Sequence, residues 1–108
     1  MIRSFVLASS LAAALTACGA DSTGITATCP PAGTTLSYAN YGAAVIQEKC
    51  LECHTSRESP TLTTQEAVQK HRASIINAAV ETTAMPEDGD MTLDERRMLG
   101  EWLACGAP

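Results

Sequence analysis

The sequence predicts an all-α protein, and three observations carry that prediction. Apolar residues recur at helical spacing over about residues 37–50, 63–81 and 92–105. Each stretch opens on a Ser or Thr suited to an N-cap. No run alternates with period two for long enough to be a strand.

In the first stretch, Tyr38, Tyr41, Gly42, Val45, Ile46 and Lys49 share one helical face behind Ser37 as N-cap. This helix runs into Cys50, and the polar, proline-containing "HTSRESPTL" leads away from it. In the second stretch, Thr63 and Glu66 have capping-box spacing, and Val68, Ile75, Ile76, Ala79 and Val80 form the apolar stripe. The connection "TTAMPEDGDM" follows. Pro86 stops a helix from continuing through it and biases Met85 toward extended backbone. In the third stretch, Thr92 and Glu95 repeat the capping box, and Asp94 complements the helix dipole. Met98, Leu99, Trp102 and Leu103 form its stripe, with Gly106 as the stop.

The N-terminus has a different character. Arg3 precedes an uncharged run of small and apolar residues from Ser4 to Leu15. A membrane span needs ~20 such residues. The pattern is instead that of a secretory signal peptide over residues 1–17. The competing reading, a buried N-terminal helix, lacks a polar second face. "LTAC", Leu15 to Cys18, resembles the bacterial lipobox. That resemblance implies cleavage before Cys18 and lipidation of this cysteine; ordinary cleavage near Ala17 or Ala20 is the alternative. Gly19 is not the aspartate that retains lipoproteins in the inner membrane. The expectation is therefore a lipid-anchored protein of the cell envelope, at the outer membrane or periplasmic face. Residues 18–36, rich in Gly, Ser, Thr, Ala and Pro, are expected to be a flexible tether, with the folded domain over 37–108.

Removal of residues 1–17 takes away one basic residue, Arg3, and moves the formal charge from −5 to −6. An acidic chain of this kind lacks the basic patch that nucleic acid demands. It suits basic partners, or simply solubility. Tyr38, Tyr41 and Trp102 are then the only aromatics left. So small a core points to help from a disulfide, metal or cofactor.

Five cysteines need an account. Cys18 is assigned to the lipid, and Cys50 and Cys53 belong to one motif. Cys29 and Cys105 remain, and an oxidising compartment favours their pairing. Two unpaired thiols are the alternative.

The motif is Cys50-Leu51-Glu52-Cys53-His54. C-x-x-C-H reads as a c-type haem attachment site. One turn of chain lets two thiols add across the two haem vinyl groups, and the next residue supplies an axial imidazole. Zinc would want four ligands, with His71 and carboxylates as the remaining candidates. A redox dithiol would be expected beside a βαβ pattern. A Cys50–Cys53 disulfide would be strained at this spacing.

With these features together, residues Ser37 to Pro108 resemble a small class I cytochrome c domain. The resemblance rests on a helix running into CxxCH, a helical middle, a Met-Pro loop and the last helix "LDERRMLGEWLACGAP". It implies three main helices around one covalent haem c, bound through Cys50 and Cys53. His54 would be the proximal iron ligand and Met85 the distal one, a His/Met pair that raises the reduction potential. His71 is an alternative distal ligand; Met91, Met98 or an open sixth position are others. The Pro60 carbonyl would accept from the His54 ring. Trp102 and Leu103 would pack on the first helix, with Gly42 permitting close approach.

The resulting expectation is a membrane-anchored electron carrier, not an enzyme, exchanging electrons with a redox protein donor and acceptor. Two alternatives remain: a haem-based gas- or peroxide-binding protein, and an accessory haem subunit of a larger oxidoreductase.

Overall fold

The structure is a computed structural model and describes residues 20–108. The signal peptide expected over 1–17 and the lipidation site Cys18 lie outside the described residues. The described chain is all-α, with four α-helices: α1 (Ala43–Lys49), α2 (Gln65–Lys70), α3 (Arg72–Ile75) and α4 (Leu93–Ala104). Two wider, π-type helical stretches extend them. Tyr38–Gly42 leads into α1, and Ile76–Glu81 continues α3. Among the described residues the extended pairing is a single antiparallel bridge, Ser22 with Thr82.

The ends of the first helical stretch follow local chemistry. Ser37 Oγ accepts the Asn40 N–H at 3.1 Å, and Asn40 Oδ1 accepts the Ser37 N–H at 2.7 Å. This reciprocal cap satisfies two donors that the first turn leaves orphaned.

The second stretch differs from its expectation in two ways. Its N-cap is Thr64, not Thr63, with the Ala67 N–H donating to Thr64 Oγ1 at 3.1 Å. It is also not one continuous α-helix. His71 has φ −100° and ψ 14°, which ends α2 and starts α3. Tertiary bonds hold this break. Arg72 donates to the Leu103 carbonyl at 3.0 Å, and Gln65 and Gln69 both donate to the Ala107 carbonyl.

α4 matches its expected start, with Thr92 Oγ1 accepting the Glu95 N–H. The Glu95 carboxylate faces Lys49 at 3.4 Å. Leu99, Trp102 and Leu103 are buried as expected. Met98 is 46% exposed, so its place on the core stripe is corrected. The turn of α4 carries it to the solvent side, and Arg96 takes the inward position three residues before Leu99.

The core joins α4 to the two π-type stretches. The Trp102 indole packs against Tyr38 (centroids 6.4 Å) and edge-on to Tyr41 (5.9 Å). Its Nε1–H donates to the Pro108 carbonyl at 3.2 Å, and that carbonyl also accepts the Tyr38 N–H at 2.6 Å. The chain's last residues thus bridge α4 to the start of the first helical stretch. Gly100 packs beside Val80 and Ala27.

The stretch expected to be a flexible tether carries long-range contacts. The Thr23 N–H donates to the Glu81 carbonyl at 3.0 Å, and the Thr83 N–H to the Asp21 carbonyl at 2.9 Å. Thr23 Oγ1 donates to the Val80 carbonyl at 2.6 Å. Ile25, Ala27 and Leu36 pack on the core. Cys29 and Cys105 form a disulfide with Cα atoms 4.8 Å apart. Small polar residues read as a linker in isolation; here their hydroxyls and backbone satisfy the end of the Ile76–Glu81 stretch.

Candidate functional site

The chain leaves α1 without unwinding at once. The Cys50 N–H donates to the Ile46 carbonyl at 2.9 Å, and the Cys53 and His54 N–H groups both return to the Cys50 carbonyl. The motif is therefore coiled as successive turns on the end of α1, which turns Cys50, Cys53 and His54 into one cavity. A second loop closes behind them, with the Leu62 N–H donating to the His54 carbonyl at 2.9 Å.

His54 Nδ1 lies 2.9 Å from the Pro60 carbonyl oxygen. A carbonyl only accepts, so Nδ1 carries a proton, and in the neutral ring the lone pair is then on Nε2. This is the tautomer of a metal-binding imidazole whose other nitrogen is anchored. The expected Pro60 contact is present.

The cavity has a volume of about 530 Å³. Leu62, Ile75, Ala78 and Ala79 supply apolar lining, and the connection after the second helical stretch supplies Met85, Pro86 and Met91. Acidic side chains also reach it, from Glu52, Glu58, Glu87 and Asp88. Cys50 and Cys53 are free thiols, because the disulfide uses Cys29 and Cys105. Burial pushes the Cys50 thiol up to about 11, so it is held neutral.

Met85 is gripped on both sides of its backbone. Its N–H donates to the Ala78 carbonyl at 2.7 Å, and its carbonyl accepts from Arg96 at 2.7 Å. His71, at the break between α2 and α3, is not among the cavity-lining residues. Met98 is not either, whereas Met91 is both buried and lining. Among the described residues no three His, Cys, Asp or Glu side chains gather as a metal cage.

Two residues of the site have no site role in the sequence reading. Arg96 is 2% exposed, and one of its terminal nitrogens donates to the carbonyls of Ala79, Thr82 and Met85. Its signal was legible: positions 96, 99 and 103 share a helical face, and an arginine there interrupts an apolar stripe. Lys49 donates to the Asp90 carbonyl at 2.8 Å, with Glu48, Asp90 and Glu95 carboxylates within 3.7 Å. It ties the end of α1 to the Met85-bearing connection. Nothing in the spacing of Lys49 and Asp90 announces this pair.

Comparison with known proteins finds no matching family model, no matching curated protein and no matching solved structure.

Proposed function

We propose that this protein is a small cytochrome c-like electron carrier, holding one haem c at the cavity beside the CxxCH turn. The observation that carries the reading is His54: its Nδ1 donates to Pro60, and the residue lines a cavity that Cys50, Cys53 and Met85 also line. The lining fits the group in chemistry and size. The thiols are unpaired, Leu62, Ile75, Ala78 and Ala79 give the cavity an aliphatic wall, and about 530 Å³ falls within the ~300–1,000 Å³ of cofactor sites.

Bound there, the haem would supply a one-electron couple. Cys50 and Cys53 would each add S–H across a vinyl group to form thioethers. His54 would donate through Nε2, with Pro60 fixing its ring plane. Met85 would donate its thioether sulfur from a connection whose backbone is fixed at Ala78 and Arg96. Leu62, Ile75 and Ala79 would exclude water. Glu52, Glu58, Glu87 and Asp88 would favour a donor or acceptor with a basic face. Export and a diacylated Cys18 would hold the carrier at an envelope membrane, since stable anchoring takes more than one chain.

The test is expression of the exported chain in a periplasm with haem-attachment machinery. Covalent haem in the pyridine haemochrome spectrum is expected. A methionine-to-iron charge-transfer band should vanish in Met85→Ala and persist in His71→Ala. Absence of covalent haem would sink the reading. Rapid carbon monoxide binding by the unmutated protein would favour a gas-binding function instead.

A further inference from the structure

We propose that Arg96 is the positioning residue for Met85: its guanidinium fixes the Met85 backbone and so sets how firmly the cavity's distal side is closed. The ligand part of this inference rests on the function proposed above. The mechanical part does not.

Arg96 sits on the inward face of α4 at 2% exposure. Among the described residues no carboxylate lies within ion-pair distance of it. A buried cation without a carboxylate is costly unless hydrogen bonds replace its hydration. Here those acceptors are the carbonyls of Ala79 (2.7 Å), Thr82 (3.3 Å) and Met85 (2.7 Å). Ala79 belongs to the last turn of Ile76–Glu81, and Thr82 follows it, so the cation also meets the negative end of a helical stretch. An aliphatic residue would cover the same face of α4. What the guanidinium adds is a connection between that helix end and the carbonyl of Met85.

The geometry also depends on the reach of the arginine side chain. Ala79 and Met85 are six residues apart, and a single terminal nitrogen, Nη1, reaches both carbonyls at 2.7 Å. A lysine keeps the charge, but its stem is one bond shorter, so its ammonium stops short of the place from which Nη1 reaches these carbonyls. Lys49 holds the same connection five residues later, at the Asp90 carbonyl. Loss of Arg96 therefore frees Met85 locally while the far end of the connection stays attached.

The experiment compares wild type, Arg96→Lys, Arg96→Gln and Thr92→Ala in the exported chain as purified. The primary readout is amide hydrogen exchange, taken as the ratio of the Met85 rate to the Leu103 rate. A hydrogen bond to a charged group contributes enough that its loss gives about tenfold or more. The ratio should rise by that factor in Arg96→Lys and Arg96→Gln. It should stay unchanged in Thr92→Ala, which weakens the α4 cap without touching the guanidinium. An unchanged ratio in Arg96→Lys overturns the proposal, as does an equal rise in Thr92→Ala. The second readout is carbon monoxide binding to the reduced, haem-loaded protein, expected about tenfold faster in Arg96→Lys. An unchanged rate there overturns the link to Met85 ligation. If the wild type carries no haem, the proposed function fails while the exchange ratio still decides whether Arg96 fixes Met85.

Discussion

Gly42 lies so close to the Trp102 indole that a Cβ at this position would overlap the ring. Gly42 has ordinary helical φ and ψ, −62° and −45°, so conformation does not demand glycine here. Space does. The contact seats the first helical stretch on α4, and that stretch ends at the CxxCH turn. Packing at Gly42, eight residues before Cys50, thereby sets where the motif emerges.

Gly42→Ala therefore tests the helix contact. Forcing volume into a packed core costs about 1–3 kcal/mol, and Trp102 is fully buried with little room to retreat. Urea denaturation should show a lower midpoint with an unchanged slope. Stability equal to wild type would contradict the packing.

The Cys29–Cys105 disulfide closes a loop with a sequence separation of 76. Its removal in a Cys29→Ser, Cys105→Ser double variant should lower stability by about 4 kcal/mol on the chain-entropy account. Chemical denaturation of the variant and wild type without reductant measures this. The strap over residues 21–27 should also gain amide exchange, since it keeps only its hydrogen bonds and small apolar contacts.

Cys50 should be a slow thiol in the haem-free folded chain. Only the thiolate is nucleophilic, and a thiol held near 11 is about 0.1% ionised at pH 8. Iodoacetamide labelling of Cys50, read by peptide mass spectrometry, should speed up about tenfold per pH unit below 11. In urea it should be at least about tenfold faster at pH 8, as burial no longer raises the thiol. Equal rates in folded and unfolded chains would show that Cys50 is not desolvated.

Tyr41 gives a pH signature to the fold. Burial, aided by the nearby Glu95 carboxylate, pushes its hydroxyl from 10.0 up to about 12. Below pH 10 the phenol is neutral in both states and its contribution to stability is fully present. Between pH 10 and 12 the unfolded state loses the proton first, so stability falls as pH rises. Tyr41→Phe should show a shallower decline over that window when unfolding is followed by circular dichroism. An identical slope in the variant would remove Tyr41 as the cause.

Much of the helical architecture was legible because its signals are local. Ser37 and Thr92 cap their helices, and Ile46, Val68, Ile75, Leu99, Trp102 and Leu103 are buried where helical spacing put them. The pairing of Cys29 with Cys105 was legible by accounting for the other cysteines. The strap was not: Thr23, Ala27 and their neighbours look like linker, and only the carbonyls of Val80 and Glu81 give them a fixed place. The break at His71 was hidden for a similar reason, since Arg72, Gln65 and Gln69 are tied to α4 and the C-terminal turn. Met98 was misplaced because a stripe allows a residue at its edge to face either way.

By itself the sequence determined the all-α class and the helix caps at Ser37 and Thr92. These depend on hydrogen bonds and side-chain directions within a few residues. Tertiary structure alone decided that Thr23 straps the end of the Ile76–Glu81 stretch, that Lys49 holds the Asp90 carbonyl, and that Arg96 grips the Met85 carbonyl. Each of these requires one segment to find an acceptor on another. A buried cation or imidazole takes its role from the carbonyl it meets, and that partner exists only once the chain has packed.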